Sequence, residues 1–279
     1  MNKLMRRLTV ALSFAAVTMA LPNRAEAGAV LDTVLATKKL RVAVGTDWGA
    51  MSFLNDKHEL DGYDIAVAKA VAKSLGVEIE FVTPSWEVIT SGQWQNRWDM
   101  AMGQMTPTKA RTEKFDFPAV YAYDPVIAVV HKDSKANKPS DLDGKVIGVT
   151  AGTVAESYAE HKLTPDWIGA EPITYQFTPS EVKRYDSTNI VLDDLRIGDG
   201  ARLSGAIADE VIAAKAIKDG YPLRQLGEPL FASPGAIAVL HGDKEFSDKI
   251  AAAVKSMSDD GTLSKLSIKW FGANHFAQN

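Results

Sequence analysis

Hydrogen-bond donors crowd one short stretch of this chain. Gly103-Gln104-Met105-Thr106-Pro107-Thr108-Lys109-Ala110-Arg111 follows the strand-like run Trp98-Asp99-Met100-Ala101-Met102. It precedes a polar turn, Thr112-Glu113-Lys114, that ends in Phe115-Asp116-Phe117. A strand end that opens into such a loop offers free backbone N–H groups, hydroxyls and one guanidinium. A carboxylate suits that set, because arginine meets it bidentately and the other donors fill its remaining lone pairs. Taken alone, Arg111 reads as an ordinary solvated arginine at a helix start, since exposed arginines are common. The rest of the chain reverses that reading.

The elements that must position the loop alternate. Leu31 to Leu40 forms a short lead-in helix, and Lys39 to Val44 reads as a strand. Asp64 is expected to cap a helix over Ile65 to Leu75, with Gly76 just past its end. Val77 to Val82 alternates with period two, as a strand does. A helix over Trp86 to Asn96 and a strand over Trp98 to Met102 complete β-α-β-α-β, the pattern of a parallel sheet covered by helices. Tyr123 to His131 is a long apolar strand. A second series follows: strand Val146 to Val149, a helix opened by Ala151-Gly152-Thr153, a helix over Val191 to Ile197, and strand Leu203 to Ala208 ending at Asp209. Helix Glu210 to Lys218, strand Ala236 to Leu240 and two closing helices finish the chain. The fold class is α/β.

Composition narrows the function. The 279 residues are 24% charged and 46% hydrophobic, ordinary globular values. The net charge of −4 advertises no nucleic acid and no anionic membrane. No cysteine is present, which excludes disulfides, thiol catalysis and zinc-thiolate sites. The five histidines are scattered without metal-ligand spacing. Lys3, Arg6 and Arg7, the apolar run Leu8 to Leu21 and the small residues of Ala25-Glu26-Ala27 read as an export signal over residues 1–27. A soluble, exported, periplasmic protein is expected.

The ordered series of motifs resembles the periplasmic solute-binding proteins of the polar amino-acid ABC-transporter family. Its parts are Leu60-Asp61-Gly62-Tyr63-Asp64, Trp98-Asp99, Met105-Thr106 and Thr108 with Arg111, then Phe115-Asp116-Phe117. Asp141 to Val149 with Gly152-Thr153, Ala208-Asp209, Asp260-Gly261-Thr262-Leu263 and Lys269-Trp270-Phe271-Gly272 follow in order. The resemblance implies the two-lobed type II binding-protein fold. Lobe one is discontinuous, 28–129 with 235–279, and lobe two is 130–234. Hinge crossings are expected near Val129-Val130 and Ser233-Pro234-Gly235.

The resemblance also implies a site. Thr106 and Arg111 match residues that hold a ligand α-carboxylate, and Gly103 and Gln104 line the same pocket. Gln104 is larger than the small residue usual there. Thr153, at a helix start, either binds the anion or serves as a plain cap. Val154 replaces a hydroxyl that relatives often carry. Asp209 matches the partner of the ligand ammonium, although a lone aspartate at a strand end also reads as a helix cap. Trp48 and Trp86 match aromatics that flank the ligand side chain, and Asp47 a carboxylate that meets cationic ones.

The implied function is capture of a polar amino acid, a basic one ahead of a neutral one, and delivery to an inner-membrane ABC permease. The protein is expected to be a monomer with no cofactor, metal or catalytic residue. Two rivals remain: a periplasmic enzyme on the same fold, of the cyclohexadienyl dehydratase type, with Glu210 or Glu156 as general acid, and a ligand sensor that feeds a receptor.

Overall fold

The computed structural model describes residues 29–276, and the expected export signal lies outside them. The described chain opens with α1 (Ala29–Thr37), β1 (Lys39–Ala43) and the hairpin of β2 (Phe53–Leu54) and β3 (Leu60–Asp61). Then come α2 (Tyr63–Leu75), β4 (Glu78–Val82), α3 (Trp86–Thr90), β5 (Met100–Met105), α4 (Lys109–Thr112) and β6 (Phe115–His131). The second series is β7 (Val146–Thr150), α5 (Val154–Ala159), β8 (Glu181–Tyr185), α6 (Thr188–Leu195), β9 (Gly205–Asp209), α7 (Glu210–Lys218) and β10 (Leu223–Gln225). It closes with β11 (Phe231–Leu240), α8 (Lys244–Asp259) and α9 (Thr262–Phe271).

One mixed sheet runs through the molecule in the order β4-β1-β5-β11-β6-β9-β7-β8, and β10 also pairs with β6. β1 lies parallel to β4 and β5, and β7 parallel to β8 and β9. Between these parallel groups run β6 and β11, antiparallel to each other and to their outer neighbours. Each parallel group has its own core. Leu40, Val42, Ile65, Val71, Phe246 and Ile250 pack together in the first. Ile147, Val149, Tyr158 and Ile207 pack together in the second. The result is two α/β lobes, each a sheet half covered by helices, joined by two long strands.

The change of lobe is written in the pairing of β6. Its residues 115–120 face 236–240 of β11, and residues 122–126 face 231–235. From Val126 to Val129 it also faces β9. A register shift between Gly235 and Ala236 marks the matching point on β11. Val129, near which the first crossing was expected, pairs with Ala206 of β9 and Gln225 of β10. Asp124-Pro125 interrupts the apolar run where the partners of β6 change.

Two local expectations change. The helix from Trp86 stops at Thr90, because Ser91 Oγ bonds back to the Val88 carbonyl and Gly92 turns left-handed at φ 76. Asp64 is not the cap of α2. Gly62 holds that place at φ 128, where a Cβ would sit 2.4 Å from the Met51 carbonyl oxygen. Asp64 falls in the first turn, fully buried, and accepts a hydrogen bond from the Tyr121 hydroxyl at 3.0 Å. Gly76 does end the helix in the left-handed conformation.

Candidate functional site

β5 is buried along most of its length, and its last residues break the ladder. Gly103 (φ 107) and Gln104 (φ 49) both lie in left-handed backbone territory. The register against β11 shifts there, a bulge that re-aims the chain. Both N–H groups turn to the Tyr121 hydroxyl, at 3.3 and 2.8 Å, and that hydroxyl donates onward to Asp64. Burial pushes the Asp64 carboxyl up to about 7, against the lowering effect of the Tyr121 and Gly103 hydrogen bonds. The missing side chain at Gly103 matters as much. A Cβ would stand 2.7 Å from Trp48 and 2.9 Å from Trp86. Those two rings meet edge to face at 5.5 Å, an arrangement worth about 0.5–1.5 kcal/mol beyond burial.

Arg111 sits on the one-turn helix α4 and is 9% exposed. Its Nη1 donates to the Thr106 carbonyl and its Nη2 to the Gly152 carbonyl, both at 2.9 Å. The guanidinium carbon lies 5.6 Å from the Trp86 ring centroid. Trp86 Nε1 also donates to the Gly152 oxygen, at 3.2 Å. One carbonyl of the second lobe thus holds two side chains of the first. Burial brings the Arg111 pKa down to about 10, and Asp209 opposes that shift. The Thr106 hydroxyl is paired at 2.9 Å with that of Ser233. Of the two hydroxyl protons, one lies between the oxygens and the other is free to meet a ligand.

The facing wall belongs to the second lobe. Thr153 caps α5: its oxygen accepts from the Glu156 N–H and its hydroxyl donates to the Thr150 carbonyl at 2.7 Å. Val154 follows, buried. Thr150 and Thr188 pair through their hydroxyls at 2.8 Å. Asp209 occupies the cap position of α7 but makes no capping hydrogen bond with its side chain. Burial pushes its carboxyl up to about 6, while Arg111 pulls it down. Asp47 is exposed at the rim, with its carbonyl 2.8 Å and its carboxylate 3.4 Å from Asn189 Nδ2 across the cleft.

These walls enclose a cavity of about 270 Å³. All ten residues singled out from the sequence line it: Asp47, Trp48, Trp86, Gly103, Gln104, Thr106, Arg111, Thr153, Val154 and Asp209. Sequence reasoning missed Asp124, Ser233, Thr150 and the run Asp186-Ser187-Thr188. Asp124 had a signal, as an acid inside an otherwise apolar strand. It is 6% exposed, and neither of its oxygens has a hydrogen-bond partner among the described residues. Burial, then the charges of Asp209 and Glu210, hold its carboxyl well above the ordinary range.

Several contacts bridge the cleft. Besides Arg111 and Trp86 on Gly152, the segment after α5 straps across the cleft. Lys109 N–H donates to the Thr164 carbonyl at 3.1 Å, and Asp166 N–H to the Pro107 carbonyl at 3.3 Å. Thr112 donates to the Asp166 carboxylate at 2.6 Å.

Comparison with known proteins agrees with this geometry. The model of the bacterial extracellular solute-binding proteins, family 3, matches residues 40–273. The L-cystine-binding protein TcyJ of Escherichia coli is 28% identical over 248 residues, 88% of this chain and 87% of that protein. The arginine-binding extracellular protein ArtP of Bacillus subtilis is 28% identical over 236 residues, 84% of this chain and 86% of its own. Among solved structures, the ancestral amino acid-binding protein AncCDT-1, a precursor of cyclohexadienyl dehydratase, superposes with a TM-score of 0.74 at 27% identity. That match covers 86% of this chain and 99% of the ancestral one.

Proposed function

The chain belongs to family 3 of the bacterial extracellular solute-binding proteins, and on that premise we propose that it captures a basic amino acid between its lobes. Delivery is to an ABC permease in the inner membrane, after export through a signal over residues 1–27. The observation that carries the reading is the pair Arg111 and Asp209. They come from opposite lobes, face one cavity, and feel each other's charge. Asp209 caps nothing, although it stands where a cap would stand. An amino acid supplies the missing partners: its carboxylate for Arg111 and Thr106, its ammonium for Asp209. Charges this buried cost several kcal/mol when left uncompensated, so the ligand completes them as the lobes close.

The balance of charge favours a cationic side chain. Four aspartates line the cavity, Asp47, Asp124, Asp186 and Asp209, against one arginine. Trp48 and Trp86 add π faces, which attract a guanidinium or ammonium. An acidic ligand meets repulsion from the same set. ArtP, named for arginine, is consistent with a ligand in this class, whereas TcyJ is named for cystine, a neutral amino acid.

Binding is proposed to work by hinge closure, with the lobes turning about Ala122–Val126 and Phe231–Gly235, where the pairing changes partners. The first lobe then comprises the described chain before and after those strands, and the second the chain between them. No covalent chemistry is assigned. Glu156 binds the Gly152 N–H at 2.7 Å and ion-pairs with Arg184, and Glu210 is not among the residues lining the cavity. Neither is set over a bound ligand as a general acid must be. A thermal-shift panel of the standard amino acids with ornithine tests the proposal. Arginine, lysine or ornithine should raise the melting temperature most, by linkage. A response to glutamate or aspartate with none to the basic set contradicts it.

A further inference from the structure

Asp124 has no role in the clamp, yet it is the most deeply buried carboxylate of the cavity lining. It lies on β6 where the strand passes between lobes, and no Lys or Arg among the described residues pairs with it. A buried carboxyl keeps its proton unless a cation stands beside it to favour the ionised form. Two further ligating groups converge on it. They are Glu210, the first residue of α7, and His275, in the segment after α9. One carboxylate oxygen of each acid and one imidazole nitrogen all lie within 4.8 Å of one another.

The fold fixes this meeting. Val126 pairs with Asp209, which sets the start of α7 beside β6. The Tyr123 N–H donates to the His275 carbonyl at 2.6 Å, so the C-terminal segment is bound to the residue next to Asp124. The His275 N–H donates to Ser267 Oγ at 2.7 Å, and its ring packs 5.1 Å from that of Phe271.

We propose that Asp124, Glu210 and His275 form a site for a divalent transition-metal ion of the zinc class. Two carboxylates and an imidazole supply three of the four ligands of a tetrahedral zinc ion and leave one position for water. The imidazole disfavours magnesium and calcium, which take all-oxygen sets. Bonds of about 2.0–2.2 Å hold tetrahedral ligand atoms roughly 3.3–3.6 Å apart, a spacing inside the 4.8 Å within which the three groups already lie. Glu210 and His275 are half-buried and have room to move. The ligands come from a connecting strand, a second-lobe helix and a segment whose Phe276 packs on the first-lobe core. An ion there staples the lobes in the closed arrangement, and by linkage it raises affinity for whatever the cavity binds. Asp124 also lines the solute cavity, so zinc is titrated with the cavity empty to keep the two readings distinguishable.

The test is calorimetric titration of Zn²⁺ into purified, tag-free protein stripped with a chelator, beside His275→Ala and Glu210→Gln. Neither residue is placed in the clamp. One zinc per chain should bind, at least tenfold more weakly in each variant, with metal-free unfolding temperatures unchanged. Co²⁺ in place of zinc should give the visible absorption of a tetrahedral site in the parent only. Absence of zinc binding in the parent, or affinity untouched by both variants, overturns the proposal. So does tighter binding of Ca²⁺ or Mg²⁺ than of Zn²⁺. If zinc does not bind and Asp124→Asn abolishes binding of L-arginine, Asp124 serves the solute instead.

Discussion

The two walls of the cavity are built on different plans. The first-lobe wall is arranged in advance: left-handed backbone at Gly103 and Gln104, two indoles seated on the bare Gly103, and Arg111 held by the Thr106 carbonyl of its own lobe. The second-lobe wall spends its hydroxyls on itself. Thr153 caps its own helix, and Thr150 pairs with Thr188. Its free contributions are carboxylates, Asp209 and Asp186. The contrast assigns recognition of the carboxylate and side chain to the first lobe, and charge completion on closure to the second.

The contrast is broken most sharply at Arg111. Arg111→Ala should weaken binding by about 2–5 kcal/mol, the range for truncating one member of a buried charge pair. The paired change on the other wall, Thr153→Ala, should cost at most about 1 kcal/mol, and in stability, because its hydroxyl is a cap. Calorimetry and thermal melts on the two variants check this. Equal losses of affinity would erase the distinction between the walls.

Gly103→Ala should come next. The added methyl meets both indoles and sits on a backbone of positive φ, so destabilisation of about 1–3 kcal/mol is expected. The melting temperature should fall, and tryptophan fluorescence should report displaced rings. By contrast Gly144→Ala, in open space at φ 68, bears the backbone strain without the clash and should cost less.

A pH-dependent effect concerns the support beneath the first wall. Asp64 faces the Tyr121 and Tyr63 hydroxyls, the Gly103–Gln104 backbone and the charge of Asp124. Its carboxyl rises from an ordinary 3.8 to about 7, so between those values the folded chain holds a proton that the unfolded chain releases. Stability from this group is therefore lost as pH rises through that window. Asp64→Asn should flatten that part of the stability profile, measured by denaturant titration from pH 4 to 8. An unchanged slope would show that Asp64 is ionised in the fold.

Much of this was legible in the sequence, because periodicity reports which faces are buried. Alternation at Val77 to Val82 and the 3.6-residue spacing of Ile65 to Leu75 gave strand and helix within a residue or two. What escaped depends on partners from elsewhere in the chain. The change of partners in β6 shows only in its pairing with β11 and β9. Asp64 looked like a cap because its real partner, Tyr121, is far along the chain. The proximity of His275 to Asp124 and Glu210 arises through tertiary structure alone. The cleft strap of Thr164 and Asp166 had no local signature at all.

The central claim is that opposite charges on opposite lobes close on one zwitterion. Calorimetric titration of wild type and Asp209→Asn with L-arginine and with its des-amino analogue tests it most directly. Wild type should bind arginine far more tightly than the analogue. Asp209→Asn should weaken arginine by about 2–5 kcal/mol, leave the analogue nearly unchanged, and so erase the preference. If the variant binds arginine as tightly as wild type does, Asp209 carries no counter-charge and the clamp does not exist.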